Sequence, residues 1–266
     1  MATPPRLYKY EGFTTRALQN LKSQVLYFGS PLNFNDPYDC ALTPSIAQPS
    51  DEEVEAIRQA YLQDKEVPPI PRQQLTAFNT AQLREIFMRS GSDGLAKSIN
   101  EFLHQRGIAC FSERYDDLLM WSHYGGRYKG FCLEFDSSSE PFLKTRPVDY
   151  VARPPSLSLK DLLLVDFDPV EKLFCTKSEA WVYEKEWRTI HDKAGTEYVY
   201  PAEALTGVYF GPDIDQQSIE IVCLILSGQN ENVRFWRGSR SGTDFRVLFE
   251  PFTYTSFIEA KRRGLR

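Results

Sequence analysis

Apolar residues recur along this chain with two periods, and the places where the period changes divide it into elements. Residues 7–10, LYKY, alternate between faces and predict a short strand. Thr14 or Thr15 then caps a helix to Leu21, since Ala17, Leu18 and Leu21 recur at helical spacing. Residues 25–28, VLYF, predict a second strand. GSPLNFNDPYD is too rich in Gly, Pro, Asn and Asp for regular structure, so a shaped loop is expected. Over residues 50–104 the spacing is helical. Ser50 with Glu53 makes a capping box ahead of VEAIRQAYL, and VPPIPR at 67–72 interrupts the pattern. A second helix is expected over about 75–89, and a third, DGLAKSINEFLHQRG, should end at Gly107. This block has no convergent polar motif. It reads as a helical insertion, residues 50–106, within a single domain spanning 1–266.

Strand spacing then returns in IACF (108–111), GFCLEF (130–135) and PVDYV. WVYEKEWRTI alternates over eight or more residues and predicts a strand, and GVYFG (207–211) a buried one. Between these, DDLLMWSHYG predicts one short helix, with Asp116 as N-cap and Gly125 just past its end. Another helix is expected from about 169 to 179. SIEIVCLIL suits either element, and Asp215 as a cap favours helix. VRFWRG and FRVLFEPF are late strands, followed by a basic tail, IEAKRRGLR. The fold class expected is α+β, a split, mostly antiparallel sheet. The strands at 7–10, 108–111, 130–135 and 182–190 should share one core, with the 50–104 helices packed to one side.

Composition narrows the class. With 266 residues, 42% of them hydrophobic, the chain can bury a core without disulfides or metal. Thirty-one Lys and Arg against 36 Asp and Glu give a net charge of −5, which argues against a protein that coats nucleic acid. Cys40, Cys110, Cys132, Cys175 and Cys223 are scattered with no CxxC, so neither a disulfide framework nor a zinc ribbon is expected. Cys110, Cys132 and Cys223 lie in apolar runs and read as core residues, which implies a reducing, cytoplasmic setting. No apolar run approaches the roughly 20 residues of a bilayer span. MATPPRLYKY holds no apolar stretch of signal-peptide length, so no membrane partner is expected.

His104, His123 and His191 are far apart and no HExxH occurs, so no metal site is expected. GxSxG, GxGxxG and the P-loop are absent, which argues against a nucleophile elbow, a Rossmann NAD site and a Walker NTPase. Three clusters remain. In FNDPYDC, Pro37 fixes a turn that presents Asn35 and Asp36, either to a ligand or as an Asx-turn that seats the loop. In GIACFSERYDDLLMWSHYGG, Met120 and Trp121 face core while Ser122, His123 and Tyr124 cannot all do so, which leaves some to line a cavity. In WVYEKEWR, a strand would set Glu184 and Glu186 on one face and Trp181, Tyr183, Lys185 and Trp187 on the other. Two such carboxylates repel unless one is solvated, protonated or paired with Arg188 or a lysine. The functional alternative is a carboxylate that stabilises a cationic centre beside one that orients substrate.

These fragments carry a resemblance. LYKY, FNDPYD, CFSE, LMWSHY, KGFCLEF, WVYEKEWR and GVYFG, in that order from about Leu7 to Leu226, resemble a large bacterial family of unknown function marked by FNDPxD, MWxHY and WxYExEWR. More distantly, the pattern is similar to the ADP-ribosyltransferase fold. That likeness implies NAD as substrate, with Lys9 on the first strand and Tyr124 stacked on nicotinamide, and the polar content of their clusters adds Tyr10, Asn35, Asp36, Ser122 and His123 to the same cleft as cofactor-binding residues. It also implies Glu186 as the catalytic carboxylate and Glu184 as the group that orients the acceptor. The acceptor would be protein or nucleic acid, and the chain a toxin or phage-defence effector with an antitoxin or defence-system partner. Two other readings stay open. One is a non-catalytic nucleotide-binding sensor module. The other is a metal-dependent nuclease or hydrolase using Asp36, Asp39, Glu184 and Glu186.

Overall fold

The fold was obtained as a computed structural model describing residues 3–40, 44–63, 72–164, 169–230 and 232–265. Two compact units result. One comprises Met1–Gly29, Gly107–Val148 and Ala180–Arg266, the other Ser30–Arg106 and Asp149–Glu179.

The first is a sheet unit. Its strands are β1 (Arg6–Glu11), β2 (Val25–Phe28), β3 (Gly107–Ser112), β4 (Phe131–Asp136), β5 (Arg146–Pro147), β6 (Glu186–His191), β7 (Thr196–Val199), β8 (Leu205–Phe210), β9 (Arg234–Arg240) and β10 (Val247–Phe252). Its helices are α1 (Thr15–Lys22), α2 (Leu118–His123), α3 (Gln216–Ser227) and α4 (Phe257–Arg262). Eight strands form one continuous sheet in the order β10-β9-β8-β4-β1-β3-β6-β5, where a split sheet was expected. Within this sheet, among the described residues, only β8 and β9 pair in parallel, because α3 carries the chain back between them. The four strands expected to share a core are the neighbours β4-β1-β3-β6. β2 and β7 pair separately.

Register sorts the side chains. Tyr8 lies opposite both Glu134 and Ser112, and Ser112 opposite Glu186, so these four share one face. Leu7, Phe111, Leu133, Phe135, Trp187 and Val208 point the other way, into a core closed by Ala17 and Leu21 of α1 and Ile219 and Val222 of α3. On the tyrosine side, Tyr8, Tyr10, Cys132 and Tyr209 pack with Met120 and Trp121 of α2. The caps follow the sequence: the Thr14 hydroxyl accepts from the Ala17 amide and Asp215 from that of Ser218.

The second unit is helical: Asp51–Gln63, Arg72–Ala77, Thr80–Gln105, Leu159–Leu164 and Pro169–Phe174, with two short parallel strand pairs. The Ser50–Glu53 capping box forms as expected. Residues 64–71, which include all of the VPPIPR break except Arg72, lie outside the described residues. The two helices expected on either side of SGSDG are one helix of 26 residues, capped by Asn79 and Gln82. Gly91 sits in its interior where a Cβ would come 2.5 Å from Leu159 Cδ1, so a close-packed neighbour offsets its low helix propensity. The helix ends at Gln105, and Gly107 already belongs to β3. The helix expected over 169–179 stops at Phe174, and Thr176–Ser178 is a strand. Among the described residues no helix is long and apolar enough to cross a membrane.

Candidate functional site

The WVYEKEWR segment departs most from expectation, and the departure builds the site. Residues Glu179–Glu184 wind as a 3-10 helix, and Lys185 takes a left-handed backbone with φ 46° before β6 begins at Glu186. A non-glycine residue held there costs on the order of 1–3 kcal/mol. Neighbours hold the turn: Lys185 N–H donates to the Val182 carbonyl at 3.3 Å, the Lys185 carbonyl accepts from the Glu113 amide at 3.1 Å, and the Glu184 carbonyl accepts from the Ser112 hydroxyl at 2.6 Å. Glu184 and Glu186 are therefore not alternate positions of one strand, and the repulsion expected between them is resolved by separate partners.

Glu186, 6% exposed, accepts from Arg188 Nε at 2.8 Å and from an Arg188 terminal nitrogen at 3.0 Å. Arg188 is wholly buried. Such a fork-to-fork pair is strong and geometrically fixed. Glu184, 2% exposed, accepts from the Tyr124 hydroxyl at 2.7 Å through Oε1. Tyr124 is the C-cap of α2, whose N-terminus is capped by Asp117, not Asp116: Asp117 Oδ1 accepts from the Leu119 and Met120 amides, while Asp116 pairs with Arg114 at 3.1 Å. Met120 and Trp121 do face core, while Ser122 is half-buried and His123 exposed. The His123 ring stands 6.1 Å from those of Tyr124 and Trp181 and 6.4 Å from Tyr183. Tyr124 and Tyr183 also pack on the Tyr8–Tyr10–Trp121 cluster. An aromatic patch thus abuts the Tyr124–Glu184 pair.

The other expected residues fall in different places, Lys9 and Tyr10 in the sheet unit and Asn35 and Asp36 in the helical unit. Lys9 is one register step from Tyr8 and Tyr10, hence on the opposite face of the sheet, where its Nζ lies 3.7 Å from Glu11. Tyr10 is on the site's face but turns its hydroxyl to the Arg114 carbonyl at 2.9 Å. Asn35 and Asp36 belong to the helical unit, where Asp36 Oδ1 accepts from the Tyr38 amide at 2.9 Å in an Asx-turn. Asp39, also in that unit, is buried against Lys177 at 3.2 Å. Among the described residues no group of three His, Cys, Asp or Glu side chains is placed to hold a metal ion.

One constellation escaped the sequence reading. Glu134, 4% exposed, accepts from Tyr209 at 3.0 Å, Tyr8 at 3.3 Å and Thr206 at 2.7 Å, with Arg234 and Arg6 at 3.5 and 3.7 Å. Burial, then the Glu134 charge, pushes the Tyr8 and Tyr209 phenols well above their ordinary range, so both stay protonated donors. GFCLEF shows this glutamate as an outward position of an alternating strand. Its partners come from β1, β8 and β9, so only pairing reveals them.

Comparison with known proteins adds one finding. No curated protein and no solved structure gives a significant match to the chain. Residues 120–189 match the family described as Protein of unknown function (DUF2971), and that segment holds Tyr124, Glu184, Glu186 and Arg188 together.

Proposed function

We propose that the sheet unit binds NAD as a substrate and cleaves its nicotinamide–ribosyl bond, in the manner of an ADP-ribosyltransferase. The observation that carries this reading is the buried Glu184 carboxylate, oriented by Tyr124 at 2.7 Å beside the His123, Trp181 and Tyr183 rings. A flat, cationic nicotinamide ring is attracted to aromatic faces. When its bond to C1′ breaks, the electron pair leaves with neutral nicotinamide and positive charge builds on the ribosyl carbon, which a fixed carboxylate stabilises. An acceptor oxygen or water then attacks C1′ and gives up its proton. The acceptor is a protein or nucleic acid in the toxin or defence reading.

In this reading Glu184, not Glu186, is the catalytic carboxylate. Both Glu186 oxygens accept from Arg188, so its charge is already matched. Glu184 is the carboxylate beside the aromatic patch, and Glu186 with Arg188 fixes the start of β6. The same matched pair is what a non-catalytic nucleotide-binding module would carry, and turnover separates the two.

The test is nicotinamide release from NAD by the purified chain with EDTA present. Glu184→Gln should lower release roughly 100- to 1000-fold. Tyr124→Phe, which loses one hydrogen bond to a charged group, should lower it about 10- to 100-fold. Calorimetric NAD binding without release would establish the binding module, and neither binding nor release would refute the proposal.

A further inference from the structure

The face of the sheet opposite the Tyr124–Glu184 pair holds a cavity of about 270 Å³ beneath α1. Its polar lining includes Lys9, Glu11, Arg16, Asn20, Tyr27 and Tyr200, and its floor includes Leu21, Leu26 and Leu133. Tyr200 is the informative residue. It is 3% exposed, its ring packs on Phe135 and Phe142, and among the described residues no group pairs with its hydroxyl. A buried hydroxyl left unpaired costs on the order of 1–3 kcal/mol, so something that supplies an acceptor is expected there. Tyr200 lines the cavity, and burial, then the Glu11 charge, pushes its phenol upward, which keeps the hydroxyl a donor.

The charges define the ligand. Lys9 and Arg16 against Glu11 leave one net positive charge on the lining. Arg16 is held over the Tyr27 ring at 3.8 Å, which presents its guanidinium at the rim, and Lys9 lies 3.7 Å from Glu11. A phosphate monoester, with about two negative charges, would exceed that balance and be repelled by Glu11. A carboxylate matches it, and the leucine floor suits an apolar body. The volume is just below that of drug-sized pockets, and suits a small metabolite.

We infer that this cavity is a binding site for a small organic monocarboxylate, its anion held by Arg16 and Lys9, its body on the leucine floor, and the Tyr200 hydroxyl donating to it. The site lies on the face away from the proposed NAD site and does not depend on it.

Saturation-transfer NMR and titration with three probes test this: 4-methylpentanoate, its uncharged amide, and 3-methylbutyl phosphate. The carboxylate should bind the wild-type chain, with the amide and the phosphate at least tenfold weaker. Arg16→Gln, at an exposed helix position, should weaken it about 10-fold or more, and Tyr200→Phe about 2- to 10-fold. Tyr200→Phe keeps the ring contacts and removes only an unpaired hydroxyl, so it should fold. No saturation of the carboxylate, equal binding of the amide or the phosphate, or unchanged affinity in Tyr200→Phe would each overturn the inference.

Discussion

Replacing Arg188 by Met tests the strongest electrostatic feature of the sheet unit. Arg188 is wholly buried and grips Glu186, itself 6% exposed, through two nitrogens at 2.8 and 3.0 Å. Both groups lost their water on folding, and their mutual contact helps offset that cost. Methionine approximates the arginine stem in volume but takes the guanidinium away from the buried Glu186 carboxylate. Breaking such a pair from one side costs about 3–5 kcal/mol. At roughly 2–4 °C per kcal/mol for a chain of this size, the melting midpoint should fall by about 6–20 °C. Glu186→Gln should act in the same direction, for it removes the carboxylate charge that the guanidinium grips through two nitrogens. The combined variant, Arg188→Met with Glu186→Gln, removes both charges together, so its loss should be smaller than the sum of the single losses by about 2 kcal/mol or more. The assay is urea and thermal unfolding of the four proteins, followed by circular dichroism and tryptophan fluorescence. A loss below about 1 kcal/mol in Arg188→Met, or strict additivity in the double variant, would refute the reasoning. The same proteins bear on the glutamate assignment: folded Glu186→Gln, assayed well below its midpoint, should keep NAD turnover within about tenfold of wild type, far above Glu184→Gln.

The acid limb of stability should depend on Asp136. The Ser138 hydroxyl and amide, with the Arg6 guanidinium, hold its carboxyl down to about 2 from an ordinary 3.8. A depressed folded-state value stabilises above the unfolded value and is lost as pH falls through the folded one, so the contribution should fade between about pH 4 and pH 2. Asp136→Asn should flatten that part of a stability–pH curve, and an unchanged acid limb would count against the assignment. In the helical unit, Gly94 is exposed inside the Thr80–Gln105 helix, and a Cβ there would meet nothing within 4 Å. Gly94→Ala should stabilise by about 0.5–1 kcal/mol. A loss of stability in urea unfolding would show that the two helices do not run as one.

What local sequence determined is clearest where an element depends on its own residues. The VLYF strand has the bounds 25–28 that its residues indicate, and Thr14, Asp215 and the Ser50–Glu53 box cap helices as their side chains dictate. The tyrosine face of β1 is legible in the alternation of LYKY, because strand geometry alone puts Tyr8 and Tyr10 together and Lys9 opposite. Tertiary structure decided the rest. WVYEKE has the period of a strand but winds as a 3-10 helix, because the Ser112 hydroxyl, the Glu113 amide and the Tyr124 phenol fix it from outside. The glycines of SGSDG read as a helix break, and Leu159, 68 residues beyond Gly91, packs closely where one of them lacks a side chain. The likeness to the ADP-ribosyltransferase fold put Lys9 and Glu186 in one site. Strand register places Lys9 on the opposite face, and a guanidinium two residues along the chain claims the carboxylate of Glu186. Period and caps are local properties that a sequence displays, while the partner of a buried charge is a long-range fact that only the fold supplies.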